Sequence, residues 1–474
     1  MCLLPHITHY KCNSYIYCVK ISIFLLPLRA NLIFITMKVL KFGGTSVGSA
    51  QRMKEVASLI CDGDQKIVVL SAMSGTTNTL VEIADYLYKK NPVSANEVIN
   101  KMEQKYAAVV EELYSKEETK AEANTILKGH FDYLRKFTQN NVFLLFDEKI
   151  ILAQGELMST AMVNLYLQEI GVKSVLLPSL DFMRIDKNNE PDLAYIRTNI
   201  QKSLAVFPSD TEIYITQGYI CRNAYNEIDN LQRGGSDYTA SLIGAAVKAS
   251  EIQIWTDIDG MHNNDPRFVE NTKPVATLHF EEAAELAYFG AKILHPTCIL
   301  PAKLENIPVR LLNTMDPEAP GTLISTKLTP KKIEAVAAKD NITAIKIKSG
   351  RMLLAHGFLS KVFECFATHK TSIDMITTSE VGVSVTIDND KHLDEIVNEL
   401  KTFGTVTVEK DMVIICVVGD MDSENLGYQA KIVNALREIP VRMISYGGSN
   451  YNVSFLVKAE DKKRALESLS KELF

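Results

Sequence analysis

The sequence predicts an α/β protein with a central, mostly parallel sheet covered on both faces, followed by a C-terminal pair of βαββαβ units. Three observations predict it. Short apolar runs alternate with helix-periodic segments from Met37 to Leu312. Two glycine pairs, Gly43-Gly44 and Gly234-Gly235, each follow an apolar run and precede a helical segment. Beyond a stretch near 313–332 that reads as a linker, one strand and helix order occurs and then begins again.

Residues 39–41 form a short strand ending at Lys41. Residues 66–71 (Lys-Ile-Val-Val-Leu-Ser) form a buried parallel-type strand, entered after the turn Asp62-Gly63-Asp64. Residues 92–140, rich in Glu, Lys, Ala and Leu, form a helical excursion placed to cap a site. Later strands are 174–177, 212–216, 253–256 and 309–312, and helices fall near 148–169, 238–249 and 281–289. In the repeat, 342–348 is a strand, 358–369 a helix, 372–377 and 381–387 strands, 391–401 a helix and 405–409 a strand. The second unit runs through 413–418, 429–437, 441–445, 452–457 and 462–473, and is then one strand short. The unassigned strand 333–338 is expected to complete it, so that one unit is inserted in the other. The expected divisions are a sheet domain over 37–325, a first repeat unit over 333–409 and a second over 410–474.

At 474 residues there is room for roughly two to four domains. Charged residues at 23% and hydrophobic residues at 46% match ordinary soluble globular proteins. A net charge of −6 without a basic stripe argues against nucleic acid as a partner. The eight cysteines are scattered, with no CxxC pair and no His/Cys cluster at zinc spacing. Reduced thiols in a cytoplasmic protein, and no metal-ligand set, are the expectation. Residues 1–36 differ from the rest: they hold Cys2, Cys12 and Cys18, carry Lys11, Lys20 and Arg29, and contain no acid. Their apolar runs are broken by Arg29 and Asn31 and lack a small-residue cleavage site, which argues against a secretory signal or a membrane span. The strand leading into Lys41 starts at Met37, so Met37 is the expected working start and 1–36 a poorly ordered extension.

The loop Lys41-Phe42-Gly43-Gly44-Thr45-Ser46-Val47 reads as a phosphate grip, because glycines let backbone N–H groups approach phosphate oxygens and Lys adds a point charge. A second loop, Leu231-Gln232-Arg233-Gly234-Gly235-Ser236-Asp237, suggests one loop for each partner of a phosphoryl transfer. Alone, Gly43-Gly44 is more often an ordinary strand-to-helix turn. A Walker loop is excluded, since Ser49 stands where its Lys must be, and no G-x-G-x-x-G follows a strand.

Eight motifs in order give the chain a resemblance to the aspartate kinases of the amino-acid kinase superfamily. They are Lys41 to Ser46; Leu70-Ser71-Ala72-Met73-Ser74-Gly75-Thr76-Thr77-Asn78; Gly155-Glu156-Leu157-Met158-Ser159; Gln217-Gly218-Tyr219-Ile220; Arg233 to Ala240; Trp255-Thr256-Asp257; Asp265-Pro266-Arg267; and Phe289-Gly290-Ala291-Lys292-Ile293-Leu294-His295-Pro296. The resemblance runs from Met37 to the C-terminus. It implies a carbamate kinase-like sandwich and a tandem of ferredoxin-like ACT units, ATP with Mg²⁺, and L-aspartate as acceptor. The product would be 4-phospho-L-aspartate, on the way to lysine, threonine and methionine. A carboxylate acceptor is already ionised at neutral pH, so no general base is needed and catalysis rests on positioning and electrostatics.

The resemblance assigns Lys41 and Asp237 to catalysis, with Asp237 orienting Lys41. Lys41, Phe42, Gly43, Gly44, Thr256, Asp257, His262, Arg267 and Lys292 fall to ATP, although His262 stands where the family usually has Tyr. A substrate α-carboxylate needs a cation, which Arg233 supplies in planar bidentate form, and its ammonium needs an anion, which Glu156 supplies. Ser71, Thr77 and Ser236 offer hydroxyls to the remaining oxygens. Each also has a plain structural reading: Glu156 a solvated helix carboxylate, Arg233 a surface ion-pair partner, Lys292 a stem over apolar surface. His295-Pro296 reads as structural, as does Asp259.

In the first repeat unit, Gly357-Phe358-Leu359 opens a helix whose free N–H groups suit an effector's carboxylate. Asp374 and Glu380 suit ammonium groups, and Met352, Ser372, Ile373 and Ser379 flank them. Two acids suit a dibasic ligand, and the pattern resembles lysine-sensitive aspartate kinases, with threonine the second choice. ACT units pair edge to edge in the family, which implies a homodimer or a dimer of dimers. A monofunctional kinase without a fused homoserine dehydrogenase is expected. Two other functions stay open: a kinase for glutamate or a nucleoside monophosphate, and a catalytically silent amino-acid sensor.

Overall fold

The computed structural model describes residues 37–231, 234–290, 295–327, 333–350, 356–421 and 426–474. Arg233, Lys292 and Met352 lie outside them.

The first part of the chain runs β1 (Lys38–Phe42), α1 (Ala50–Ile60), β2 (Lys66–Leu70), α2 (Thr76–Tyr88), α3 (Pro92–Leu113), α4 (Glu117–Phe137), α5 (Leu145–Glu169), β3 (Ser174–Leu176), α6 (Leu193–Ala205), β4 (Ile213–Gln217), β5 (Ile220–Arg222), β6 (Ile228–Asn230), α7 (Gly235–Val247), β7 (Ile252–Thr256), β8 (Thr277–His279), α8 (Phe280–Tyr288), α9 (Pro296–Leu304), β9 (Val309–Asn313) and β10 (Thr322–Ser325). The sheet order is β3-β4-β2-β1-β7-β9-β10-β8, parallel from β3 through β9. Alternate side chains of one strand enter opposite layers. Val39, Ile67 and Val69 join the cluster holding Ile196, Leu242, Leu286 and Ile299 of α6 to α9. Leu40, Phe42, Val68 and Leu70 join the cluster holding Met53, Leu80, Ile99, Leu127 and Ile151 of α1 to α5. Strands buried on both sides read as unbroken apolar runs, which is why β1 and β2 were legible.

Helices α3 and α4 form an antiparallel pair over α1, α2 and α5. They brace a loop from behind: Lys105 Nζ donates to Ser74 O at 2.9 Å, and the Tyr106 hydroxyl meets Thr76 Oγ1 at 2.9 Å. Helix α5 is long and apolar enough to cross a membrane, but it is mostly buried among its neighbours. Strand β10 falls inside the expected linker; it pairs antiparallel with β9 and parallel with β8.

The rest is β11 (Ile333–Lys348), α10 (Phe358–Thr368), β12 (Ile376–Ser379), β13 (Gly382–Ile387), α11 (Leu393–Leu400), β14 (Thr405–Gly419), α12 (Tyr428–Ala435), β15 (Met443–Tyr446), β16 (Asn452–Lys458) and α13 (Lys462–Leu473). One six-stranded sheet, β12-β13-β11-β14-β16-β15, carries both repeats. What reads as two strands at 333–338 and 342–348 is continuous β11, and 405–409 with 413–418 is continuous β14. The first half of β11 pairs with the second half of β14, Ile333 opposite Gly419 and Lys339 opposite Ile414; its second half pairs with β13 and the start of β14. Register shifts near Lys339 and Ile342 absorb the polar breaks. Ala335, Ala337, Ile414, Cys416 and Val418 face the core shared with α8, while Val336, Val413, Ile415 and Val417 face α12 and α13. Helix α8 therefore joins the large sheet domain to the repeats, and Asn452 Nδ2 donates to Glu285 on it.

Candidate active site

Strands β1, β2, β4 and β7 end level: Phe42 is opposite both Leu70 and Trp255, and Leu70 is opposite Gln217. The four loops that follow therefore converge at the carboxyl edge of a parallel sheet, where α/β proteins place their sites. Gly44, Ser71, Thr77, Glu156, Tyr219 and Ser236 line a cleft of about 440 Å³ there.

Lys41 is 8% exposed, and its ammonium sits 2.7 Å from Asp237 Oδ1. The pair is close but off hydrogen-bond axis, since Asp237 Oδ1 counts as buried without a hydrogen-bond partner. The lysine tip passes over Gly43, 3.5 Å from where a Cβ would stand. A Cβ on Gly44 would meet Ala72 O at 2.9 Å, so the first two loops touch only because that residue is glycine. Ser46 fixes the far side of the loop by a 2.8 Å bond between its Oγ and Thr314 Oγ1.

Helix α7 starts three residues before the expected position, so Gly235, Ser236 and Asp237 form its first turn and turn its free N–H groups toward the cleft. A Cβ on Gly218 would stand 2.4 Å from Ser236 Oγ, which is how the β4 loop admits that turn. Ser71 Oγ donates to Ser236 Oγ at 3.0 Å. Tyr219 takes a positive φ of 66° and donates its N–H to Thr239 Oγ1 at 3.0 Å.

Glu156, in the middle of buried α5, is 4% exposed. Its Oε1 accepts the Ala72 N–H at 3.2 Å, and its Oε2 has no partner. Burial pushes its carboxyl up to about 8 against the opposing pull of the Ala72 N–H. A buried carboxylate with an unpartnered oxygen, on a residue that lines a polar cleft, is suited to a cationic ligand group.

Thr256 ends β7 and Asp257 follows it, beside the Gly43 turn, and Trp255 stacks on Phe42 at 5.6 Å. Two of the residues expected at the nucleotide have local partners. His262 is held through both ring nitrogens, by Asp259 at 2.7 Å and Thr272 at 2.8 Å. Arg267 is 62% exposed and forms a bidentate pair with Asp265. Sequence reasoning passed over Thr45, Asn78 and Tyr219 as site residues, although all three lie inside motifs already singled out; they also line the cleft.

In the repeat region, Gly357 caps α10, and Phe358 and Leu359 begin it. Ser372 is exposed, Ile373 half-buried, and Ser379 and Glu380 are exposed at the end of β12. The Asp374 side chain is fully buried and already engaged. Lys339 Nζ lies 2.7 Å from its Oδ1, and Tyr288 of α8 donates to the same oxygen at 2.6 Å. Burial pushes the Tyr288 phenol well above its usual range, and the bond to Asp374 adds to that, so Tyr288 stays the donor. Lys339 also pairs with Asp388 at 2.9 Å and lies 4.2 Å over the Tyr288 ring, and Asp374 Oδ2 has no partner.

The chain matches the model of the amino acid kinase family over residues 36–313 and an ACT domain model over 415–473. It is 35% identical to the lysine-sensitive aspartokinase 3 of Escherichia coli strain K12, over 92% of this chain and 99% of that one. The solved structure of E. coli aspartokinase III in complex with aspartate and ADP, in its R-state, superposes with a TM-score of 0.79 at 33% identity, covering 92% of this chain and all of that one. The same enzyme with lysine and aspartate, in its T-state, gives 0.76 at 34% identity, covering 93% of this chain and all of that one. With the family model spanning more than half of the sequence and full-length likeness on both counts, the chain belongs to the amino acid kinase family and, within it, to the aspartokinases.

Proposed function

We propose that the protein transfers the γ-phosphoryl group of ATP to the side-chain carboxylate of L-aspartate, giving 4-phospho-L-aspartate and ADP, and that it works in the cytoplasm under feedback from lysine. The observation that carries this reading is that both halves of the chemistry meet at the Gly43-Gly44 loop. The Lys41–Asp237 pair stands against that loop, and the cleft that Gly44 borders is lined by Glu156, with an unpartnered carboxylate oxygen, beside Ser71 and Ser236. The aspartate carboxylate oxygen attacks the γ-phosphorus, the bond to the β,γ-bridging oxygen breaks, and no proton changes hands. Lys41 and the N–H groups of the Gly43 loop and the α7 N-terminus face the charge that spreads over the transferring oxygens. Glu156 takes the substrate ammonium, and Arg233 is assigned its α-carboxylate. Magnesium fits a site where Asp237 stands beside the phosphate loop and ATP supplies most of the ligands; it would neutralise phosphate charge. Residues 37–325 then form the catalytic domain, with 333–409 and 410–474 as the ACT units, the 333–338 segment belonging to the second.

Trapping acyl phosphate with hydroxylamine in the presence of ATP and Mg²⁺ tests this. The expected result is hydroxamate with L-aspartate; hydroxamate with glutamate alone would reassign the substrate, and none with any amino acid would favour a silent sensor.

The regulatory reading rests on Asp374. Its engaged oxygen holds an internal lysine ammonium, the same group an effector lysine would bring. Lys339→Met removes that competitor and is expected to lower the half-inhibitory lysine concentration by roughly tenfold, the scale of one charged hydrogen bond. Titrating lysine and threonine against initial rate measures it. An unchanged value for lysine would remove Asp374 from the effector site. The exposed edge strand β12, with Ile376 43% exposed, suits edge-to-edge pairing between two copies, which supports a homodimer.

A further inference from the structure

The first ACT unit carries a cluster that neither catalysis nor lysine inhibition uses. Cys365 and His369 are four residues apart, which places both on one face at the end of α10. Glu399, near the end of α11, reaches across to them. The Cys365 Sγ, an imidazole nitrogen of His369 and a Glu399 carboxylate oxygen all lie within 4.8 Å of one another. His369 Nε2 stands 3.1 Å from Glu399 Oε2. Around a tetrahedral zinc with bonds of roughly 2.0–2.3 Å, neighbouring ligand atoms are about 3.3–3.8 Å apart. The imidazole and carboxylate are thus nearly at that edge length, and the thiol lies within 4.8 Å of both. Among the described residues, no other group of three such side chains converges in this way.

We propose that Cys365, His369 and Glu399 form a divalent transition-metal site, with Zn²⁺ its natural occupant. The donor set is the argument for the metal: one thiolate, one imidazole and one carboxylate suit zinc, whereas calcium and magnesium prefer oxygen throughout. On binding, the Cys365 thiol proton leaves to solvent. A fourth position stays open to water or to His392. That residue precedes α11, and its ring centroid lies 6.1 Å from that of His369. The ion would tie α10 to α11 over the core of Ile345, Val383, Phe366 and Ile396. The spacing is invisible to a search for paired cysteines, since only one ligand is cysteine and the third comes from another helix.

The test uses the full-length protein, stripped with a chelator and titrated with Co²⁺ and then Zn²⁺. The expected result is one tight equivalent with a thiolate-to-cobalt charge-transfer band in the near ultraviolet. Zn²⁺ should displace it, and the melting temperature should rise with zinc. Cys365→Ser is expected to remove the band. Because Cys365 is packed in the core, His369→Gln serves as the second variant, at a half-buried position. It is expected to weaken zinc binding by more than about tenfold, the loss that follows even when an outer-shell partner is removed. A cobalt band or zinc affinity that survives both substitutions would place the metal at other cysteines and overturn the proposal. So would the absence of any tight equivalent, which would leave His369 and Glu399 a simple ion pair.

Discussion

Lys41→Met is expected to lower kcat for phosphoryl transfer by about 10³-fold while leaving the KM for aspartate nearly unchanged. The magnitude follows from what surrounds the ammonium. It is held in a low-dielectric pocket, 8% exposed, against Asp237 at 2.7 Å, and its tip lies over the Gly43 turn. A cation fixed in advance where charge develops contributes far more than one that must be recruited from water. Methionine keeps the length and the apolar stem, so the loss isolates the charge. Lys41→Arg is not expected to rescue, because the planar guanidinium needs more room than the Gly43-Gly44 wall gives it. Asp237→Asn keeps the side-chain shape but releases the ammonium, and its effect should be smaller, about 10–10²-fold. Steady-state rates with saturating ATP, read beside circular dichroism to confirm folding, check the series. A kcat within tenfold of the parent for Lys41→Met would show that the phosphates are held mainly by backbone N–H groups.

Much of this site was legible because its constraints are local. Gly44 is required by the approach of Ala72 O, and such steric needs are written in residue identity. Glu156 was legible as a residue but not as an electrostatic state. That state depends on α5 being buried on nearly every side, which no single periodic face announces. Helix α7 was placed late because Gly234-Gly235-Ser236 reads as a turn. The contact of Ser236 with Gly218 and Ser71 is what makes those residues a first helical turn. Strand β10 hides in a Pro- and Gly-rich stretch because its only reason to be a strand is the partner strands beside it.

The repeats teach the same lesson. Lys339-Asp340-Asn341 and Lys410-Asp411 look like breaks between strands, yet both chains continue through them with Asn341 and Asp411 at positive φ. The consequence is functional. Continuity of β11 puts Lys339 beside Asp374, and α8 brings Tyr288 to the same oxygen. An effector that competes for Asp374 thereby acts on a helix that also packs into the catalytic domain's core. His262 and Arg267 are chemically apt for a nucleotide, and both are positioned by partners near in sequence, Asp259 and Thr272 for His262 and Asp265 for Arg267.

The pH dependence of aspartate binding should be unusually steep, and it is set by Glu156. Its carboxyl is pushed up to about 8 by burial, so at neutral pH the empty cleft holds it mostly protonated. The substrate ammonium needs the ionised form, so binding releases a proton below that value. The KM for aspartate is therefore expected to fall about tenfold for each pH unit between about 6 and 8, then level off, with kcat changing far less. Both carboxylates of aspartate are ionised throughout that range, so the substrate does not contribute the slope. Glu156→Gln is expected to abolish the slope and to raise the KM at pH 8 by at least about tenfold. Stability runs the other way. The folded value lies above the ordinary 4.5, so what the neutral group contributes is fully present below pH 4.5 and is lost as pH rises through about 8. The empty enzyme should lose melting temperature between about pH 5 and pH 8 and level off above that, and aspartate should restore it by supplying the missing cation. A flat KM profile in the parent, with Glu156→Gln binding aspartate normally, would move the ammonium site elsewhere and leave the orphaned carboxylate oxygen a structural feature of α5.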